Sequence, residues 1–132
     1  SYNESLSRGK DTYISGGFVE KEMMFYKHKK VKYKKRKIKF DEKQTEALKE
    51  IIQLLKSKKI EVILVFAPIT DSYYSRYTNM SQFDSIMNSY SKYHNFNEMM
   101  SLNDSLYFYD SHHLNQKGVE KFNSKLIRAL KQ

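Results

Sequence analysis

The longest uninterrupted apolar stretch of this chain, VILVFAP at 62–68, constrains the fold more than any other feature. Even with Ile60 and Glu61 ahead of it, the run falls far short of the roughly 20 apolar residues of a membrane span. It is rich in β-branched residues and ends on the only proline. Such a run suits a parallel strand near 60–67, buried on both faces of a sheet. The residues before it read as a helix. Asp41 is placed to cap it, with Gln44 three positions on as in a capping box. Leu48, Ile51, Ile52 and Leu55 then fall on one helical stripe. KSKK at 56–59 sets cations at the helix's negative end. Helix, short basic turn and buried strand make an α/β unit.

The alternation continues. A second helix is expected from Ser81, with Phe83, Ile86, Met87 and Tyr90 facing inward. SLYFY at 105–109 reads as a second strand, and a last helix from about Asn115 would bury Val119, Phe122, Leu126, Ile127 and Leu130. Two parallel strands near 60–67 and 105–109, joined by a helical crossover, are half of a doubly wound sheet. Two strands make a poor sheet alone. The pattern therefore reads as the C-terminal part of a larger α/β domain over 41–132, preceded by an irregular or extended basic arm over 1–40.

The net charge of +9 belongs to that arm. KHKKVKYKKRKIK at 27–39 holds nine Lys and Arg, which leaves fifteen basic against fifteen acidic residues elsewhere. Val31 and Tyr33 share one face of an extended chain and Ile38 and Phe40 the other, so alternation breaks near Lys35. SGG at 15–17 marks a turn, and FVEKEMMFY after it is a short extended piece or a ragged helix. The arm reads either as a solvated charged segment or as an anion-binding surface centred on Lys34, Lys35, Arg36 and Lys37, for an anionic polymer or surface. Nothing in it reads bases. With no cysteine, disulfides and thiolate metal sites are excluded. The first residues do not follow a signal-peptide pattern, so a cytosolic protein, or a targeting segment outside this chain, is expected.

FYDSHHLNQKG at 108–118 is the stretch with chemistry in it. Asp110 and His113 would fall at the carboxyl end of the second strand, where open α/β sheets place ligands. At D-x-x-H spacing a tight loop turns the imidazole over the carboxylate. The carboxylate then fixes the tautomer and stabilises the imidazolium. Asn115 can cap the last helix, and Gly118 lets that helix start close to the sheet. The competing readings are an ordinary strand-end loop and a metal site of Asp110, His112 and His113. Against the metal site, adjacent histidines are expected to diverge, and no cofactor or metal is expected. His28 and His94 have no motif around them, and YYSRY at 73–77 is either loop filler or the lining of a sugar site.

YDSHHLNQKGVEKFNSKLI resembles the C-terminal block of the SGNH (GDSL-type) hydrolase superfamily, and VILVFAP with its loop resembles the strand before that block. The resemblance spans roughly residues 45–130. It implies a partial flavodoxin-like three-layer sheet and a Ser-His-Asp triad in which Asp110 orients and His113 is the general base. It further implies a serine esterase or O-acyltransferase acting on an acylated small molecule or polysaccharide, of the cell-envelope kind. The family's G-D-S block and its glycine and asparagine oxyanion blocks are not recognisable here. Ser105 in NDSL precedes Asp110 by only five residues and is rejected as nucleophile, as is the serine of ISGG. The expectation is a C-terminal fragment, inactive alone, with a degenerate non-catalytic member, an anion-binding module and a purely oligomerising domain as alternatives. A bare sheet edge would favour a homo-oligomer.

Overall fold

In the computed structural model, which describes residues 7–9, 11–14, 18–27 and 32–131, the chain opens with a small antiparallel meander. Its strands are β1 (Ser7–Arg8), β2 (Asp11–Ile14) and β3 (Phe18–Lys21), with Arg8 opposite Asp11 and Asp11 opposite Lys21. Gly9, at φ +63°, supplies the left-handed residue of the first turn. The expected turn at 15–17, and His28, Lys29, Lys30 and Val31 of the basic run, lie outside the described residues.

Helix α1 (Glu42–Ser57) begins as the sequence predicts, with the Asp41 carboxylate accepting from the Gln44 amide at 2.9 Å. It ends on a Schellman turn. Lys59 takes φ +59°, its amide donates to Lys56 O at 2.9 Å, and the Ile60 amide reaches back to Leu55 O at 3.0 Å. Strand β4 (Ile63–Phe66) follows. Next come one turn of helix, α2 (Asp71–Tyr74), and then α3 (Met80–Tyr90). Phe83, Ile86, Met87 and Tyr90 of α3 are all half-buried, as their spacing predicts.

The strand expected at 105–109 is not there. The partner of β4 is β5 (Lys92–Asn95), parallel and in register from Ile63 opposite Lys92 to Phe66 opposite Asn95. Its sequence, KYHN, has no apolar run. It is held by polar contacts instead. Tyr93 donates to Asp84 Oδ1 at 2.8 Å, and the Asn95 amide donates to the same carboxylate at 3.1 Å and to Tyr74 OH at 2.9 Å. After the single turn α4 (Phe96–Met99), residues 104–107 form another turn, α5 (Asp104–Tyr107). Asn103 Oδ1 accepts the amides of Ser105 and Leu106 at 3.0 and 3.1 Å, which winds SLY into a helix despite its aromatic content. Only Phe108 keeps a strand-like bridge, antiparallel to Leu114.

The last helix, α6 (Gln116–Leu130), starts where predicted and is capped by Asn115. Its inward stripe runs through Gly118 and Ala129, which are buried, and Val119, Phe122 and Leu126, which are half-buried, whereas Ile127 and Leu130 are about half exposed. On α1 likewise, Ile52 is buried but Ile51 is 56% exposed. Val65 of β4 is 39% exposed, so the strand is not covered on both faces as expected. Among the described residues the buried apolar set is only Ile52, Phe96, Leu102, Phe108 and Ala129, and Phe96 meets the half-buried Phe122 edge-on at 5.1 Å. The fold is therefore mixed α/β, with two small sheets among the described residues, one of them a parallel pair.

The basic segment is not a free arm where it is described. The Arg36 amide donates to Arg76 O at 2.9 Å, and the Thr78 amide donates to Arg36 O at 3.1 Å. Asn79 brackets Ile38, accepting its amide at 2.8 Å and donating to its carbonyl at 3.1 Å. Phe40 stacks on Phe83 with centroids 5.9 Å apart. Upstream, the Tyr26 amide donates to Phe108 O at 2.7 Å, which lays residues 24–26 beside the 106–108 segment. No helix among the described residues is long and apolar enough to cross a membrane.

Candidate active site

Residues 108–114 close on themselves. The Phe108–Leu114 bridge is reinforced by the Tyr109 amide on His113 O at 3.1 Å, and the Asn115 amide reaches Tyr107 O at 3.0 Å. Inside this narrow turn Asp110 has amides to satisfy. Its Oδ1 accepts from His112 N at 2.9 Å and from His113 N at 2.8 Å. The same carboxylate holds the His113 ring, with Nδ1 2.8 Å from Oδ2 and 3.0 Å from Oδ1. The predicted pair is thus brought together by the loop itself. Nδ1 faces the carboxylate, so the ring's other nitrogen, Nε2, is the one left to act on a substrate or nucleophile.

Partial burial pushes the Asp110 carboxyl up, but it is outweighed by the His112 amide, the His113 ring and the His113 amide, so the group sits below the usual carboxylate range. It is therefore an anion at neutral pH, as an orienting group must be. The Tyr109 ring lies parallel to His113, 5.3 Å between centroids and 5° between planes, and restricts its rotation. The pair remains open to solvent, with the side chains of His113 and Asp110 53% and 38% exposed.

Two other elements fix the loop. Thr70, fully buried just beyond the carboxyl end of β4, gives both its amide and its hydroxyl to Ser111 O, at 3.1 and 2.7 Å. The site thus hangs from the end of β4, not from the end of a 105–109 strand. From below, the buried Asn115 side chain accepts Gly118 N at 3.0 Å and donates to Leu106 O and Met24 O at 2.9 and 3.0 Å. Gly118 is required by contact. A Cβ there would lie 2.2 Å from Tyr107 O and 2.9 Å from Leu114 Cδ2, so its close neighbour is the backbone of α5.

Thr70 and Tyr109 are the site residues that sequence reasoning missed; it names Tyr73 only within YYSRY, as loop filler or the lining of a sugar site. Thr70 follows Pro68 by two residues and the end of β4 by four, a usable signal. The ring stacking has none. The histidines also differ from expectation. They do not diverge: the His112 and His113 rings are 4.4 Å apart, His112 lies 5.6 Å from Tyr73, and Ser111 Oγ meets its Nδ1 at 2.8 Å.

Among the described residues no hydroxyl is hydrogen-bonded to His113. Ser105 sits in the first turn of α5 with its amide on Asn103. The four arm cations are split. Lys35 Nζ donates to Ser75 O, Arg36 donates to Tyr77 OH at 2.9 Å, and Lys34 and Lys37 are exposed. Arg36 and Lys37, with Ile38, Lys39, Phe66 and Tyr77, line a cavity of about 470 Å³. No family model, curated protein or solved structure matches this chain.

Proposed function

We propose that Asp110 and His113 are the acid–base part of a Ser-His-Asp triad in an SGNH-like serine esterase or O-acyltransferase. One observation carries the reading: a carboxylate anchored by two amides holds the imidazole by Nδ1 and leaves Nε2 outward. In that role Nε2 takes the proton of a serine hydroxyl as its Oγ attacks an ester carbonyl. Asp110 stabilises the imidazolium, which then returns the proton to the leaving alcohol. Water, or an acceptor hydroxyl, releases the acyl group by the same relay in reverse. In this reading the nucleophile and the oxyanion donors come from a longer form of the protein or from another chain. The sparse core and the two-stranded parallel sheet support a domain completed by further strands.

By itself this chain should hydrolyse p-nitrophenyl acetate at the buffer rate and escape labelling by a fluorophosphonate. In a longer form that carries a serine block, His113→Ala should lower kcat by roughly a thousandfold or more. Labelling of the 132-residue chain that disappears in Ser105→Ala would move the nucleophile to Ser105. Full activity of the longer form with His113→Ala would end the reading.

The cavity beside the arm favours a second reading, a non-catalytic surface for an anionic polymer. Three cations and two aromatic rings line it. The rings of Tyr77, Tyr73 and His112 continue from it to His113 at spacings of 6.1, 5.6 and 4.4 Å. The two readings are compatible if the acylated substrate is itself anionic.

A further inference from the structure

The pairing of His112 with His113 is idle in the chemistry just described. A base needs one imidazole, yet the loop places a second beside it, tilted 44° and 4.4 Å away, over the same carboxylate. Asp110, His112 and His113 each offer a donor atom, and the three atoms lie within 4.8 Å of one another. With Asp110 Oδ1 as the carboxylate donor, two of the separations are 3.0 Å, from His113 Nδ1, and 3.9 Å, from His112 Nδ1. Metal–ligand bonds of about 2.0–2.1 Å at tetrahedral angles put neighbouring donors roughly 3.3 Å apart. The observed separations bracket that value, so rotations of half-exposed side chains suffice to close the set.

We propose that Asp110, His112 and His113 form a binding site for a divalent transition metal ion of the zinc class. Two imidazoles and one carboxylate suit Zn²⁺, Co²⁺, Ni²⁺ or Cu²⁺, whereas Ca²⁺ and Mg²⁺ seek oxygen-rich shells. Three protein ligands leave one position to water, which the exposure of the loop supplies. The outer shell is in place. Asp110 is fixed by the amides of His112 and His113, and the Tyr109 ring backs His113. The ion displaces the proton on His113 Nδ1, which leaves to solvent, and replaces the Ser111 hydroxyl at His112 Nδ1. His113 is then tied to the metal and no longer aligned by Asp110. A filled site and an acting general base are therefore mutually exclusive. That last consequence rests on the hydrolase reading, whereas metal binding does not.

The test is calorimetric titration of the full 132-residue chain with ZnCl₂, followed by visible spectra on loading with Co²⁺. The expected result is one ion per chain and the intense absorption of four-coordinate cobalt. His112→Gln leaves the loop amides and the Asp110–His113 pair intact, and should weaken zinc binding at least tenfold. Asp110→Asn should do the same. Equal affinity in wild type and His112→Gln, or no binding by millimolar zinc, overturns the proposal. Because neither readout uses ester hydrolysis, an inactive protein that binds zinc through His112 would support this site and leave the triad to its own test.

Discussion

Asp110 serves two amides and one imidazole with two oxygens, and its energetics follow from that crowding. Its folded pKa lies below the unfolded value of about 3.9. It therefore stabilises the fold above pH 4, and that contribution is lost as pH falls through the folded pKa. Charged hydrogen bonds are each worth about 1.5–3 kcal/mol when buried. Solvent screens a group this exposed, so Asp110→Ala should cost roughly 1–2 kcal/mol at pH 7. Urea unfolding of both proteins at pH 7 and near pH 2.5 checks this: the gap between them should narrow markedly in acid. Asn115 works differently, since it is buried and neutral, and its three bonds should be indifferent to pH over the same range.

At the scale of the element, the two ends of the α/β unit offer opposite experiments. Lys59 holds a left-handed backbone that glycine adopts without penalty, so Lys59→Gly should stabilise by about 0.5–1 kcal/mol. Gly118→Ala drives a methyl into the Tyr107 carbonyl and should destabilise by roughly 2–4 kcal/mol, because backbone cannot yield as a side chain can. Thermal or urea melts of the two variants should move in opposite directions. These ends also show what the sequence made legible. Asp41 and Asn115 announce their helices because a cap is a local bond, written within four residues. The Asp110–His113 pair is legible for the same reason. Strand β5 was hidden because Tyr93 and Asn95 are secured by Asp84, about ten residues back, not by an apolar pattern. SLYFY misled because one side chain, Asn103, outweighs the strand propensity of three aromatics. Ile51, Ile127 and Leu130 fit their helical stripes by period, yet which side of a stripe is covered depends on neighbours that period cannot see.

Over the whole molecule, charge and shape meet on one face. The 32–40 segment is laid against residues 75–79 by backbone bonds, so its cations are displayed at fixed positions beside the aromatic row. If that face takes an anionic polymer, retention on heparin should fall steeply between low and physiological salt. Replacing Lys34 and Lys37 by Gln should remove much of it without loosening the segment, whereas Lys35 and Arg36 also hold Ser75 and Tyr77. Retention that ignores salt, or survives the double variant, would leave the cations as a solvated surface. The same fixed display makes any such contact sensitive to Asn79, whose side chain clasps Ile38 on both sides.

The two duties of Asp110 have a consequence for descent. The amides it accepts belong to the loop whether or not any reaction occurs, while the imidazole it holds would matter chiefly to the proposed chemistry. A lineage that abandoned catalysis would feel continued selection to keep the carboxylate and little to keep the ring. Retention of Asp110 among descendants of this chain is therefore weak testimony of activity. Loss of His113 beside a preserved Asp110 would be the mark of a protein that kept the shape and gave up the work.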